Sequence, residues 1–315
     1  MSALAEAAII PDGSLEALKD SLEPTFAESS SENAEALAYF REENTLLRYL
    51  RSRNFDVRAA AEACKHSFKW RCERRPDKIF CSFCTEDKHS HNMRCVGFDA
   101  EGSPVIYTCF EGATRRWNVT ANMEHTTRLL EDCQKLINQR RRATGQVRER
   151  YAVTPKEEQW CLMVDFQGFG ISDCDPRTGV HCAHLLAHYP ERLKSAVIVD
   201  APFGWNFLWG AIRPILDTRT SSKVHFVRST DNQEAWNSLG LGNEATEWLR
   251  AEIAENRDKR ITIDKKYWME PTTSDNKHNP RGFPSFLKSA YFDITLEWER
   301  EAEKKLSPTD AVDDK

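Results

Sequence analysis

The sequence holds 315 residues, of which 40% are hydrophobic and 30% charged, the composition of one medium domain with a helical annex or of two small domains. No apolar run approaches the ~20 residues of a membrane-spanning helix, and no basic start followed by an apolar core marks a secretory leader. The net charge of −5 conceals an acidic front, since residues 1–45 carry ten acids and two bases while the remainder is near +3.

In chain order, residues 1–32 are polar, contain Ser29-Ser30-Ser31, and read as a disordered acidic tail. Such a tail is solvated, or it shields a basic membrane-facing surface. From Ala34 to Arg53 the residues Leu37, Phe40, Leu46, Leu47 and Leu50 form a helical stripe. Asn54-Phe55-Asp56 breaks it, and Asp56 is placed to cap a second helix running to about Arg74. The character changes after Cys95. Residues 97–102 read as a turn and Pro104–Phe110 as a strand. A helix is expected over 123–141, and then a polar loop over 142–158. Strand 160–166, a helix near 178–188 and strand 196–201 follow. An almost wholly apolar helix, 205–216, precedes strand 224–227. Short continuous apolar runs alternating with helices predict a mostly parallel sheet covered on both faces. Residues 249–305 mix helix and irregular segments, and the charged end from Glu297 reads as a solvated helix.

The chemistry-bearing patterns are few. Gly168 and Gly170 follow a strand, but Asp173 stands where a dinucleotide fingerprint needs its third glycine. No Walker lysine loop and no Gly-x-Ser-x-Gly elbow are present, so enzyme readings have no anchor. The ten cysteines are scattered, several within strands and helices, as reduced cytosolic thiols are. Cys81-x-x-Cys84, followed by His89, His91 and Cys95, has zinc-like spacing. Ligation by Cys81, Cys84, Cys95 and one histidine is chemically sound, and a pair of packing thiols is the simpler reading. His181, His184 and His188 share one helical face and read as ordinary helix residues before they read as a metal face. Arg140-Arg141-Arg142, with Arg148 and Arg150, reads as a basic loop that is solvated or touches a membrane surface. No aromatic residues interleave with these arginines, which argues against nucleic acid. Helix 205–216 has only Asn206 and Arg213 as strongly polar residues, so it must be buried or must alternate between protein and lipid. Pro214 in its last turn predicts a kink or an end there.

Three segments carry a resemblance. LLRYLRSRNFDVRAAAEACKHSFKWR at 46–71, GFDAEGSPVIYTCF at 97–110 and YPERLKSAVIVDAPFGWNFLWGAIRPILDTRTSSKV at 189–224 resemble, in this order, the CRAL-TRIO lipid-binding family, and most closely its phosphatidylinositol/phosphatidylcholine transfer branch. The resemblance covers about residues 40–230. It implies an α/β fold: a helical N-terminal unit plus a CRAL-TRIO lobe with a mostly parallel sheet, an apolar lipid cavity and a lid helix. In that family a glutamate and a lysine contact the inositol phosphate, and they match Glu191 and Lys223. Of a basic pair before Phe-Asp, the first member matches Arg53, while Asn54 stands where the family usually has lysine. That departure removes one phosphate-pairing charge and points away from more highly phosphorylated inositides. Of the hydroxyl pair that serves choline lipids only Ser172 is matched, Gly170 replacing the other. The lid would carry Trp205, Leu208, Trp209, Ile212 and Leu216.

The expected organisation is an acidic tail over 1–33, a helical unit over 34–95, the lipid-binding lobe over 96–296 and a charged C-terminal helix or tail over 297–315. The expected function is non-enzymatic phospholipid binding and transfer, phosphatidylinositol first, by a cytoplasmic protein that touches membranes transiently. Alternatives are a carrier of a sterol- or tocopherol-like ligand, a lipid-sensing adaptor that recruits a partner, and a zinc-organised adaptor built on residues 81–95. No cofactor is required, a bound phospholipid is expected, zinc at Cys81, Cys84, His89 and Cys95 remains open, and no oligomer is implied.

Overall fold

The computed structural model describes residues 10–29, 31–87, 90–145, 154–170, 173, 176–202, 204–215, 218–260 and 282–291. The first helices are α1 (Ser14–Ala27), α2 (Ala34–Arg41), α3 (Glu43–Ser52) and α4 (Val57–Arg74). Over its described part, the acidic front departs from the expectation of disorder. α1 buries Leu15, Leu18, Leu22 and Phe26, a three-to-four-residue spacing whose face packs on α3 and α4. The acids interspersed with these residues obscured the stripe. The helix expected over 34–53 is two helices, because Glu42 takes an extended conformation between them. Asp56 caps α4 by accepting a hydrogen bond from the Ala59 N–H, as its position predicted. Phe26, Phe40 and Phe68 make mutual ring contacts at the centre of this helical unit.

The second unit is built on a five-stranded sheet of order β1-β2-β3-β4-β5. Its strands are β1 (Met93–Phe98), β2 (Pro104–Cys109), β3 (Trp160–Asp165), β4 (Leu193–Val199) and β5 (Val224–Val227). β1 pairs antiparallel to β2, and the remaining neighbours are parallel. β1 was not expected, since Gly97 read as the opening of a turn. Gly97 instead sits in the strand, where the register shifts. It has a φ of 149°, and a Cβ there would come within 2.3 Å of the Phe283 ring.

Helices occupy the crossovers. A short α5 (Ser82–Glu86) precedes β1, α6 (Val119–Ala143) joins β2 to β3, and α7 (Pro176–Leu186) joins β3 to β4. Between β4 and β5 run α8 (Trp205–Ile212), a 3-10 turn (Arg213–Ile215) and α9 (Thr218–Ser221). α8 is shorter than the expected helix 205–216, because Pro214 lacks the N–H a further α turn needs. α10 (Gln233–Asn237), α11 (Asn243–Arg257) and α12 (Pro284–Leu287) follow β5. α11 and α12 cover one sheet face, where Trp248 meets Tyr107 and Phe283. α6, α7 and α8 lie over the other.

Among the described residues no helix is long and apolar enough to cross a membrane, and the nine described cysteines are free thiols. The charged segment from Glu297 lies outside the described residues.

Candidate functional site

Strand residues alternate between faces. On the inner face of the sheet, Ile106, Leu162, Val164, Ala196, Ile198 and Val224 do not meet a close-packed layer. They line a cavity of about 510 Å³, within the range of roughly 300–1,000 Å³ typical of small-molecule sites. Leu162 and Val164 sit on a central strand and are still only half-buried, as expected where a sheet faces a void. The opposite parity is closed, with Val105, Tyr107, Met163 and Val197 buried. The other walls come from Leu129 and Leu130 of α6, Cys182 and Leu186 of α7, and Trp205, Trp209 and Ile212 of α8.

α8 is the outer wall at one side. Trp205 stacks on Trp209 at 5.8 Å between ring centroids, and it meets Phe166 at 5.4 Å and Phe226 at 5.7 Å in edge-to-face geometry. Ile212 approaches Gly179 so closely that a Cβ there would lie 2.6 Å from Cδ1, so a glycine is what lets α7 and α8 touch. The far side of α8 faces outward: Phe207 is 67% exposed, and on the edge strand Phe226 is 52% exposed. The expected lid residues Trp205, Trp209 and Ile212 thus line the cavity. Leu208 lies on α8, and Leu216 lies outside the described residues.

Where β4 and β5 begin, Leu193, Thr220 and Val224 line the cavity, and the polar residues next to them form a cluster. Lys223 donates its Nζ to the Leu193 carbonyl at 2.6 Å. Glu191 pairs with Arg219 at 3.6 Å, and Arg219 also donates to the Asn54 side-chain oxygen. Gln159 holds the Glu191 carbonyl at 3.1 Å. Asn54, Phe55 and Glu191 have φ of 51°, 62° and 60°, a left-handed conformation that carries strain for residues with a Cβ. Arg51 is within electrostatic reach, and burial together with Arg48 lowers its guanidinium to about 10. Glu191 and Lys223 therefore flank one end of the cavity. Arg53 is exposed and bonds its neighbour Ser52, while Arg219 is the cation that pairs with Glu191 at 3.6 Å. Arg219 lies within the segment 189–224 and was not singled out in the sequence. Ser172 lies outside the described residues.

Arg192, next in sequence to Glu191, is buried and turned away from it. It donates to the Glu158 carbonyl at 2.7 Å and approaches the Glu158 carboxylate at 3.5 Å. Arg48 and Arg141 reach the same carboxylate at 3.3 Å and 2.6 Å. Burial alone would raise the Glu158 pKa, but Arg192, Arg48 and Arg141 together hold it below the usual carboxylate value. Arg141 thereby leaves the expected basic loop: it sits on the last turn of α6 inside this network. A second buried pair, Arg71 with Glu131, is bidentate at 3.0 Å and receives the Tyr189 hydroxyl at 2.7 Å. Both networks tie the helical unit to the lobe.

The expected metal ligands are redistributed. Cys81 and Cys84 lie close together at α5, and they meet His91 and His125. Cys95 is absent from that group. It is buried in β1, with its thiol directed to the Gly97 carbonyl at 3.8 Å. His89 lies outside the described residues. His125, on α6, is distant in sequence and was not singled out. The three histidines expected along α7 do not converge: the His181 ring contacts the Arg177 carbonyl, while His188 lies past the helix end, stacked on Trp70.

Comparison with known proteins matches residues 89–237 to the CRAL/TRIO domain. A CRAL-TRIO domain-containing protein of Saccharomyces cerevisiae is 23% identical over 77% of this chain and 86% of its own length. The SEC14 cytosolic factor of Eremothecium gossypii is 28% identical over 64% of this chain and 67% of its own. A phosphatidylinositol/phosphatidylcholine transfer protein of Arabidopsis thaliana is 25% identical over 57% of this chain and 34% of its own. Residues 89–237, which carry the mostly parallel sheet, are thus similar to the CRAL/TRIO domain, in agreement with these relatives.

Proposed function

We propose that this protein is a non-enzymatic carrier that takes a phospholipid, phosphatidylinositol first among them, from one membrane and releases it at another. The observation that carries the reading is the apolar cavity walled by α8, with Glu191, Arg219 and Lys223 at its end. A two-chain lipid carries roughly 30 methylenes, each worth about 0.8 kcal/mol out of water. Release into solvent would therefore cost about 25 kcal/mol, whereas passage from bilayer to cavity nearly cancels that cost. A carrier needs an apolar interior, a wall that opens at the membrane, and a polar end for the headgroup. In this reading α8 is the opening wall. Lys223 and Arg219 turn toward the headgroup phosphate, and Glu191 accepts hydrogen bonds from inositol hydroxyls. The relatives titled cytosolic factor and transfer protein support the same assignment, and a cytosolic carrier with brief membrane visits follows from it.

The test is transfer of labelled phosphatidylinositol and phosphatidylcholine between vesicles by wild type and by Glu191→Gln, Arg219→Ala and Lys223→Ala. Loss of one charge-assisted contact is expected to weaken phosphatidylinositol binding by about ten-fold or more, with circular dichroism unchanged. Wild-type transfer by all three variants would show that the headgroup binds elsewhere.

A further inference from the structure

Four potential metal-ligating atoms from three parts of the chain converge outside the polar cluster at the cavity's end. They are the Sγ atoms of Cys81, which precedes α5, and of Cys84 within it, a ring nitrogen of His91 from the segment before β1, and one of His125 from α6, all within 4.8 Å of one another. Cys84 Sγ lies 3.3 Å from His91 Nδ1 and 3.3 Å from His125 Nδ1, and Cys81 Sγ lies 3.8 Å from His91 Nδ1. A tetrahedral zinc with Zn–S near 2.3 Å and Zn–N near 2.0–2.1 Å places its ligand atoms about 3.3–3.8 Å apart. These three edges have that length, and the others do not exceed 4.8 Å.

The tautomer agrees. His125 Nε2 is 2.8 Å from the Met93 carbonyl, which can only accept, so Nε2 carries the proton and Nδ1 presents its lone pair to the sulfurs. The His91 and His125 rings stack at 4.4 Å, so both Nδ1 atoms crowd the same thiol. A single Cys84 S–H can serve only one of them, whereas a cation satisfies both. Cys81 and both histidines are buried and Cys84 is half-buried.

We infer that Cys81, Cys84, His91 and His125 form a structural zinc site that fastens α5 to α6 and to the start of β1. The donor set of two thiolates and two imidazoles suits Zn²⁺ over the harder divalent ions, and four protein ligands leave no open position for a reactant. α5 is five residues long and cannot hold a helix by itself; the ion would supply its anchor. His91 also lines the cavity, so the ion would stiffen one cavity wall.

The experiment is metal analysis of the full chain, purified without a histidine tag or chelator, followed by replacement of the metal with Co²⁺. One equivalent of zinc and the visible absorption of tetrahedral thiolate-bound Co²⁺ are expected. Cys84→Ser and His125→Ala should lose at least ten-fold in metal affinity, whereas Cys95→Ser should retain it. His125→Cys should still bind and show stronger thiolate-to-cobalt charge transfer, which separates lost ligation from lost folding. Chelation should speed hydrogen exchange in α5 and β1. A folded wild type that takes up neither zinc nor Co²⁺, or a Cys95→Ser variant that loses metal as Cys84→Ser does, would overturn the assignment.

Discussion

Adjacent residues Glu191 and Arg192 have opposite fates, and the difference predicts different phenotypes. Arg192 joins Arg48 and Arg141 around the buried Glu158. Removing that single carboxylate charge leaves three buried guanidinium groups without their shared counter-ion. Glu158→Gln should therefore lower stability by about 3–5 kcal/mol in urea unfolding. Glu191 pairs with an exposed arginine, and Glu191→Gln should change stability by less than about 1 kcal/mol while weakening lipid binding. His188 supplies a pH test. Burial, reinforced by His66 and Arg71, lowers it from the ordinary 6.5 to about 4. The unfolded chain then takes up this proton near pH 6.5 and the folded chain only near pH 4. Stability is fully present above pH 6.5 and falls as the pH drops toward 4, by about 3 kcal/mol from this group. His188→Gln, which can still accept from Ser67, should flatten that part of the stability profile; an unchanged slope would remove His188 as its source.

Among the elements, α8 is the one whose two faces disagree. Trp205, Trp209 and Ile212 face the cavity while Phe207 faces outward. An exposed phenylalanine on α8, with Phe226 also exposed on the edge strand, suits insertion into a bilayer, where burying one such ring is worth about 1.5–3 kcal/mol. Phe207→Asp should reduce sedimentation with vesicles by about ten-fold or more and leave thermal unfolding unchanged. A loss of folding with no loss of docking would make α8 a core helix. The sequence showed that α8 is apolar nearly all round and sits between two strands, because composition and alternation are local properties. Its end was legible only as far as Pro214 allowed. β1 was hidden because a glycine at a bulge resembles one in a turn, and α1 because acidic residues surround four widely spaced apolar ones. His125 joins Cys81 and Cys84 through the packing of α6 on α5, a contact between distant residues that no local spacing encodes. The same holds for Arg219 and Asn54, brought together by the docking of the two units.

On the scale of the whole molecule, two hydrophobic cores stand side by side, one helical and one around the sheet, and buried ion pairs join them. The lobe leaves one face of its sheet unpacked, although protein interiors ordinarily close to crystal-like density. A cavity of about 510 Å³ lined mainly by apolar side chains suits the apolar part of an amphiphile. The account therefore stands on the cavity being a lipid site. The most direct measurement is native mass spectrometry of the purified full chain, followed by organic extraction and identification of what leaves it. The account predicts a bound phospholipid, lost when the protein is denatured and exchangeable for phosphatidylinositol from vesicles. Protein that carries no lipid, and takes up none on incubation with phosphatidylinositol or phosphatidylcholine vesicles, would contradict it.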